Sequence, residues 1–185
     1  PGCTHEVALA DIKKCVDLAD KQGLYLQSFI FPRNKIGHLD VLTECGFKCF
    51  RGVFPGALSS GTWLSKEKWK YISSILLGRA SPVGLPGLTV EGIWDVPLSQ
   101  CYRQDKPIDS AMGVVPMFLK DLRAKRSLNL AVKKSMIYHM SLHPLDFGWK
   151  SKKIRIGLIK IIKHATKLRE KGEILIKTMS QVCEN

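Results

Sequence analysis

No uninterrupted apolar run in this 185-residue sequence approaches the roughly 18 to 20 residues needed to span a bilayer. The opening Pro1-Gly2-Cys3-Thr4-His5-Glu6 has none of the layout of a secretory leader. There is no internal repeat and no low-complexity tract. With 45% hydrophobic and 24% charged residues, intrinsic disorder, collagen-like repetition and a small disulfide-stapled scaffold are all excluded. Aromatics are sparse at 8%, and the four tryptophans, Trp63, Trp69, Trp94 and Trp149, are dispersed. They make no stacking platform for single-stranded nucleic acid, which needs aromatics interleaved with basic residues. No phosphate-cradling Gly-rich loop, G-x-S-x-G elbow or H-E-x-x-H is present. What remains is a chain long enough for one substantial core, with a single domain as the default.

Acids are the other scarcity. The net charge is +13, and between Lys120 and Lys171 stand 15 Lys and Arg against Asp121, Asp146 and Glu170, a net of +12. Such a block marks either a nucleic-acid or anionic-lipid surface or the solvated outer faces of two helices. The six cysteines (Cys3, Cys15, Cys45, Cys49, Cys101, Cys183) share no repeating spacing. Cys15 falls in a helical pattern and Cys49 in a strand pattern, where a free thiol behaves as a small apolar group. Cys45 and Cys49 near His38 are half a zinc site, and no second Cys or His pair completes it. Free thiols favour a reducing compartment, so a cytoplasmic location is the expectation.

Residues 5 to 22 carry Leu9, Ile12, Val16 and Ala19 at helical steps, with Thr4 as N-cap, Glu6 in the first turn and Gly23 as the stop. Tyr25 to Phe31 is rich in β-favouring residues and closes at Pro32, which predicts a buried strand. A loop then leads to a short helix, His38 to Cys45, stopped at Gly46, and to a strand at Phe47 to Phe50. From Arg51 to about Pro107 glycine and proline recur; one helix, Ser65 to Leu77, is predicted there, and the rest reads as long loops. Pro107 to about Arg126 is moderately helical, interrupted or kinked by Gly113 and Pro116. Ser135 to Leu142 reads as a strand. Ile154, Leu158, Ile161, Ala165 and Leu168 step by 4, 3, 4 and 3 and predict the strongest helix, Ser151 to Gly172. A last short strand is expected around Leu175, Thr178 and Met179.

Strands alternating with helices indicate α/β layering and a mainly parallel sheet or barrel. Four or five strands are fewer than a closed eight-stranded barrel requires. The chain also opens, without Met, on what reads as the approach to a helix, so we expect it to be part of a longer parent. In parallel α/β architectures functional groups sit on loops after the C-terminal ends of strands. Two such loops stand out, Phe31-Pro32-Arg33-Asn34 and Leu142-His143-Pro144. Arg33 and Asn34 offer donors for a carboxylate or oxyanion, and His143 can pass a proton near neutral pH. Read singly, Arg33 is equally a surface ion-pair partner and His143 a hydrogen-bonded structural histidine. Trp94 and Trp149 fall in expected rim loops, where an exposed indole can stack on a sugar ring.

The string Ser28-Phe29-Ile30-Phe31-Pro32-Arg33-Asn34, followed by His38-Leu39-Asp40-Val41-Leu42, Gly46-Phe47 and Arg51-Gly52, resembles the polysaccharide deacetylase family with the NodB homology domain. Tyr138-His139-Met140-Ser141-Leu142-His143-Pro144 looks like that family's last motif, a strand ending in a catalytic His. Gly92-Ile93-Trp94-Asp95-Val96-Pro97-Leu98-Ser99 resembles its stretch of aromatic, acid, aliphatic, Pro and small residue. The resemblance implies an α/β fold, an incomplete, distorted (β/α) barrel lacking its N-terminal strands. Residues 1–185 would be the C-terminal part of one domain, with a loop-rich insertion at about 51–107.

The function it implies is a hydrolase that removes acetyl groups from N-acetylated sugars or polysaccharide. A divalent metal, commonly zinc, is held in such enzymes by an Asp and two His and activates the attacking water. His143 matches the acid that protonates the leaving amine, and Arg33 the basic residue that tunes the catalytic Asp, with Asn34, Trp94 and Trp149 as substrate-binding residues. The departures are an absent Asp-Asp strand end, an absent His-x-x-x-His pair and, after Phe50, Arg51-Gly52-Val53-Phe54 in place of an Asp-Trp motif. The metal is therefore expected in the parent and not in these residues, and the 185-residue chain alone is expected to be inactive. No specific nucleic acid is expected as partner. The competing readings are a basic module for nucleic acid or anionic glycan, working through residues 120 to 171, and a non-catalytic sugar-binding relative.

Overall fold

The computed structural model describes residues 2–53, 73–102, 117–143 and 152–184. Their elements run α1 (His5–Asp20), β1 (Ser28–Phe29), α2 (Leu39–Glu44), β2 (Cys49–Arg51), β3 (Gly87–Leu88), β4 (Trp94–Val96), β5 (Gln100–Cys101), α3 (Met117–Lys134), β6 (Met140–Ser141), α4 (Lys152–Glu170) and α5 (Met179–Val182). The chain divides into two compact units. Unit 1 comprises residues 1–53, 85–97 and 177–185, and unit 2 residues 54–84 and 98–176. The described residues form small sheets, with no closed barrel among them.

Unit 1 is built on a four-stranded sheet in the order β1-β2-β4-β3. β1, β2 and β4 are parallel, with Phe29 opposite Phe50 and Phe50 opposite Asp95, while β3 runs antiparallel to β4. Two parallel neighbours need a crossover, and α2 supplies it between β1 and β2. α2 ends because Gly46 takes φ +83, a left-handed turn that a side chain resists. The Phe47 amide then reaches back to the Leu42 carbonyl at 3.0 Å, and the chain is aimed into β2.

The core of this unit is aromatic: Phe31, Leu42, Phe47, Phe50 and Ile93 are buried, with Ile12 and Val16 of α1 packed against them. Phe29 meets Phe31 edge-on at 4.9 Å, and Phe31 meets Phe50 at 5.8 Å. Edge-to-face pairs of this kind add about 0.5 to 1.5 kcal/mol beyond area burial. Thr4 caps α1 as its sequence predicts, accepting from the Val7 amide at 3.4 Å.

Unit 2 pairs β5 with β6 in parallel, Gln100 opposite Met140. α4 buries Ile154, Ile161 and Leu168 against Ala124 and Leu128 of α3 and the fully buried Tyr102, with Leu158 and Ala165 packed alongside. The 4-3-4-3 stripe is thus the inner face of α4. Gly157 lies on that face because the Tyr102 hydroxyl, donating to the Asp121 carboxylate, occupies the volume its Cβ would need.

Several expectations are revised. Residues 51–107 do not read as loops throughout, since they contain β3, β4 and β5, and β4 sits inside the unit 1 sheet. The expected C-terminal strand is a helix start: the Thr178 hydroxyl accepts from the Gln181 amide while the Gln181 side chain accepts from the Thr178 amide, a reciprocal cap for α5. α3 continues past Arg126 to Lys134, burying Ser127, Leu128 and Ala131. Cys15 is exposed on α1 rather than apolar filling, whereas Cys49 is buried. The helix expected at Ser65 to Leu77 lies mostly outside the described residues, of which 73–76 are helical, and so does the interruption at Gly113 and Pro116.

Candidate functional site

The C-terminal ends of β1, β2 and β4 all open on one edge of the unit 1 sheet, and polar residues gather there. After β1 the chain turns at Pro32–Asn34, where Arg33 and Asn34 adopt left-handed backbone angles, φ +55 and +56. Left-handed Asn is common enough, but an Arg there costs of order 1 kcal/mol or more, and such strain collects at functional sites. The turn is fastened from the next strand: Arg51, the last residue of β2, donates from Nη2 to Asn34 Oδ1 at 2.7 Å. Both side chains of the expected Arg33–Asn34 pair lie at the surface.

One strand further on stands Asp95, in the middle of β4. Its Oδ1 is buried and has no hydrogen-bond partner among the described residues. Burial pushes its carboxyl above the ordinary value of 3.8. The neighbouring position is Gly52, itself buried, where any Cβ would overlap the Asp95 carboxylate, so the close approach of carboxylate to backbone depends on glycine there. A buried acceptor left unpaired costs about 1 to 3 kcal/mol, and native structures retain such groups mainly where they serve chemistry or binding. Asp95, against Gly52 just past the end of β2, is therefore the candidate site, while Arg51 and Asn34 fasten the turn at the end of the neighbouring strand.

Asp95 and Arg51 are the residues that the sequence reading quoted without assigning a role. The usable signals were an acid inside an apolar Ile-Trp-Asp-Val run and a glycine directly after a strand. Trp94, expected in a rim loop, lies in β4 and is half-buried. Trp149 lies outside the described residues. His143 is exposed and follows the C-terminal end of β6, as a strand-end residue should, but it belongs to unit 2 while Arg33 belongs to unit 1.

Unit 2 has its own buried polar group. Arg123, 2% exposed, donates from Nε to Ser81 Oγ at 2.7 Å and from Nη1 to Ser74 Oγ at 2.9 Å. Gln100 Oε1 accepts from Tyr138 Oη at 2.9 Å, and Ser99 Oγ accepts from the His139 amide at 3.1 Å. These bonds tie the N-terminal starts of β5 and β6 to each other, at the end of the pair opposite to His143.

Metal chemistry finds no holder among the described residues, where no group of three His, Cys, Asp or Glu stands close enough to take an ion. Cys45 and Cys49 do not assemble with His38. His38 instead lies 3.7 Å from the Cys3 thiol. Burial raises the Cys45 thiol, and it pushes Cys49, in contact with Cys183, up to about 12. Among the described residues no helix is long and apolar enough to cross a membrane. Comparison with protein-family models, with curated proteins and with solved structures finds no match to this chain.

Proposed function

We propose that this chain works in a hydrolase that removes acetyl groups from N-acetylated sugars, and that the Asp95 carboxylate beside Gly52 holds the acetylated sugar, with the Arg51-fastened turn at Asn34 at the end of the adjoining strand. The observation that carries the reading is the buried Oδ1 of Asp95, in the middle of β4 against Gly52, which has no hydrogen-bond partner among the described residues. The resemblance of residues 28–34, 38–42 and 138–144 to polysaccharide deacetylases gives that site its substrate class. An N-acetyl sugar offers hydroxyl and amide N–H donors that can satisfy the Asp95 carboxylate oxygen.

In the hydrolysis itself a water oxygen bonds to the acetyl carbon, the C–N bond breaks, acetate leaves and the sugar nitrogen takes up a proton. The resemblance gives His143, on the loop after β6, the role of proton donor in that reaction. Arg33, exposed on the strand-end turn, is the residue that the resemblance matches to the one tuning the catalytic Asp.

Binding tests the site directly. Titrating the chain with an N-acetylglucosamine tetramer, followed by backbone amide shifts, should give saturable changes at 33–34, 51–52 and 94–96. Asp95→Asn should weaken the affinity by about tenfold, the loss of one charge-assisted hydrogen bond. A fully deacetylated tetramer should bind more weakly than the acetylated one. Absence of any saturable change with the acetylated tetramer, or equal response to an unrelated neutral glucan, refutes the assignment.

A further inference from the structure

α4 has two apolar faces, and only one is used. Ile154, Gly157, Ile161 and Leu168 face the core. On the opposite side Ile156, Ile159 and Ile162 recur at three-residue steps and are 44%, 51% and 53% exposed. A helix surface normally shows polar residues there. Instead the isoleucines alternate with exposed Lys152, Arg155 and Lys163, and Lys153, Lys160 and Lys167 line one edge.

None of these cations has a carboxylate within ion-pair distance among the described residues, where the ion pairs are His5 with Asp40, Lys13 with Glu44 and Lys48 with Glu184. The crowding is sensed nearby: after burial, Lys125, Lys167 and Lys171 hold the His164 imidazole below its ordinary value, although its Nε2 has Asn129 Oδ1 at 2.8 Å. Positive charge is therefore concentrated on one face with no paired carboxylate among the described residues, and an anionic partner would relieve it.

We propose that the outer face of α4 is a docking surface for an anionic lipid bilayer, with the helix lying in the plane of the headgroups. Nineteen residues make a contact about 28 Å long. Three isoleucines enter the acyl boundary while the flanking lysines and Arg155 meet lipid phosphates and carboxylates, the arrangement of interfacial helices. A nucleic-acid duplex would satisfy the cations but press the isoleucines against phosphates and gain nothing from them. A lipid surface is the partner that offers negative charge and an apolar layer at once.

Sedimentation of the whole chain with vesicles tests this. Phosphatidylcholine vesicles containing roughly a third phosphatidylserine should bind it at least tenfold better than pure phosphatidylcholine, and rising salt should release it. Lys160→Gln and Lys163→Gln should each lower the partition coefficient about fivefold. Ile159→Ser with Ile162→Ser should lower it about tenfold or more without unfolding the chain, since both side chains are already half exposed. Equal partition into both vesicle types overturns the proposal, as does binding that ignores the isoleucine changes. A DNA duplex that competes fully and is equally insensitive to the isoleucines would assign the face to nucleic acid instead.

Discussion

Asp95 sets the sign of one experiment unusually clearly. A carboxyl whose value is raised by folding holds its proton more tightly in the native chain than in the unfolded one. The unfolded state then binds fewer protons over the window that starts at 3.8 and extends upward, so stability falls as pH rises through it. At neutral pH the ionised, unpartnered Oδ1 is a standing cost. Asn keeps an acceptor oxygen but carries no charge, so Asp95→Asn relieves the cost of ionising a half-buried carboxyl, about 1 kcal/mol. Asp95→Asn should therefore stabilise the chain by about 1 kcal/mol at pH 7, a rise in melting temperature of about 2 to 4 °C for a protein of this size. Thermal unfolding followed by circular dichroism between pH 7 and about pH 4 is the assay. The gain should shrink toward the acid end, where wild-type Asp95 is itself protonated. The same variant should bind the acetylated tetramer less well, so stability and binding move in opposite directions. A variant less stable at pH 7, or a gain indifferent to pH, would show that Asp95 is an ordinary satisfied surface acid, and the candidate site would lose its centre.

Gly157→Ala offers a contrast, because helix propensity alone predicts a gain of about 1 kcal/mol at a mid-helix glycine. The added methyl group must instead displace the fully buried Tyr102 hydroxyl from Asp121, at a cost of about 1 to 3 kcal/mol for the broken bond and a similar amount for overpacking. A net loss of about 2 kcal/mol, read as a lower denaturation midpoint, is expected, and an unchanged or raised midpoint would refute the packing described. His143→Ala should slow acetate release by about a hundredfold or more wherever that turnover is measured. Unchanged turnover would remove His143 from the proton transfer.

What the sequence made legible follows the length of the periodic signal. α4 repeats its apolar step four times, so its inner face is readable residue by residue. α1 likewise shows four half-buried positions where Leu9, Ile12, Val16 and Ala19 predict them. β3, β4 and β5 are two or three residues long and lie among prolines and glycines, too short for any alternation to register. Their stability comes from neighbours distant in sequence, such as Cys49 beside Trp94. Around Thr178 the β-favouring composition points to a strand, while the reciprocal capping pair of Thr178 and Gln181 starts a helix there.

The candidate site was half legible for a related reason. Strand ends followed by Arg, Asn or His can be picked out of a linear string, and Arg33, Asn34 and His143 were. Whether a carboxylate is satisfied cannot be read this way, because it depends on which atoms fold against it. Asp121 and Asp95 are both single acids in mixed surroundings, yet Asp121 accepts from Tyr102. Asp95 Oδ1 faces the bare Cα of Gly52 and accepts nothing among the described residues. The first arrangement ties β5 and α3 together; the second leaves binding capacity unspent. Two acids equivalent in sequence are thus assigned, one to the core and one to the site, by the partner each meets on folding.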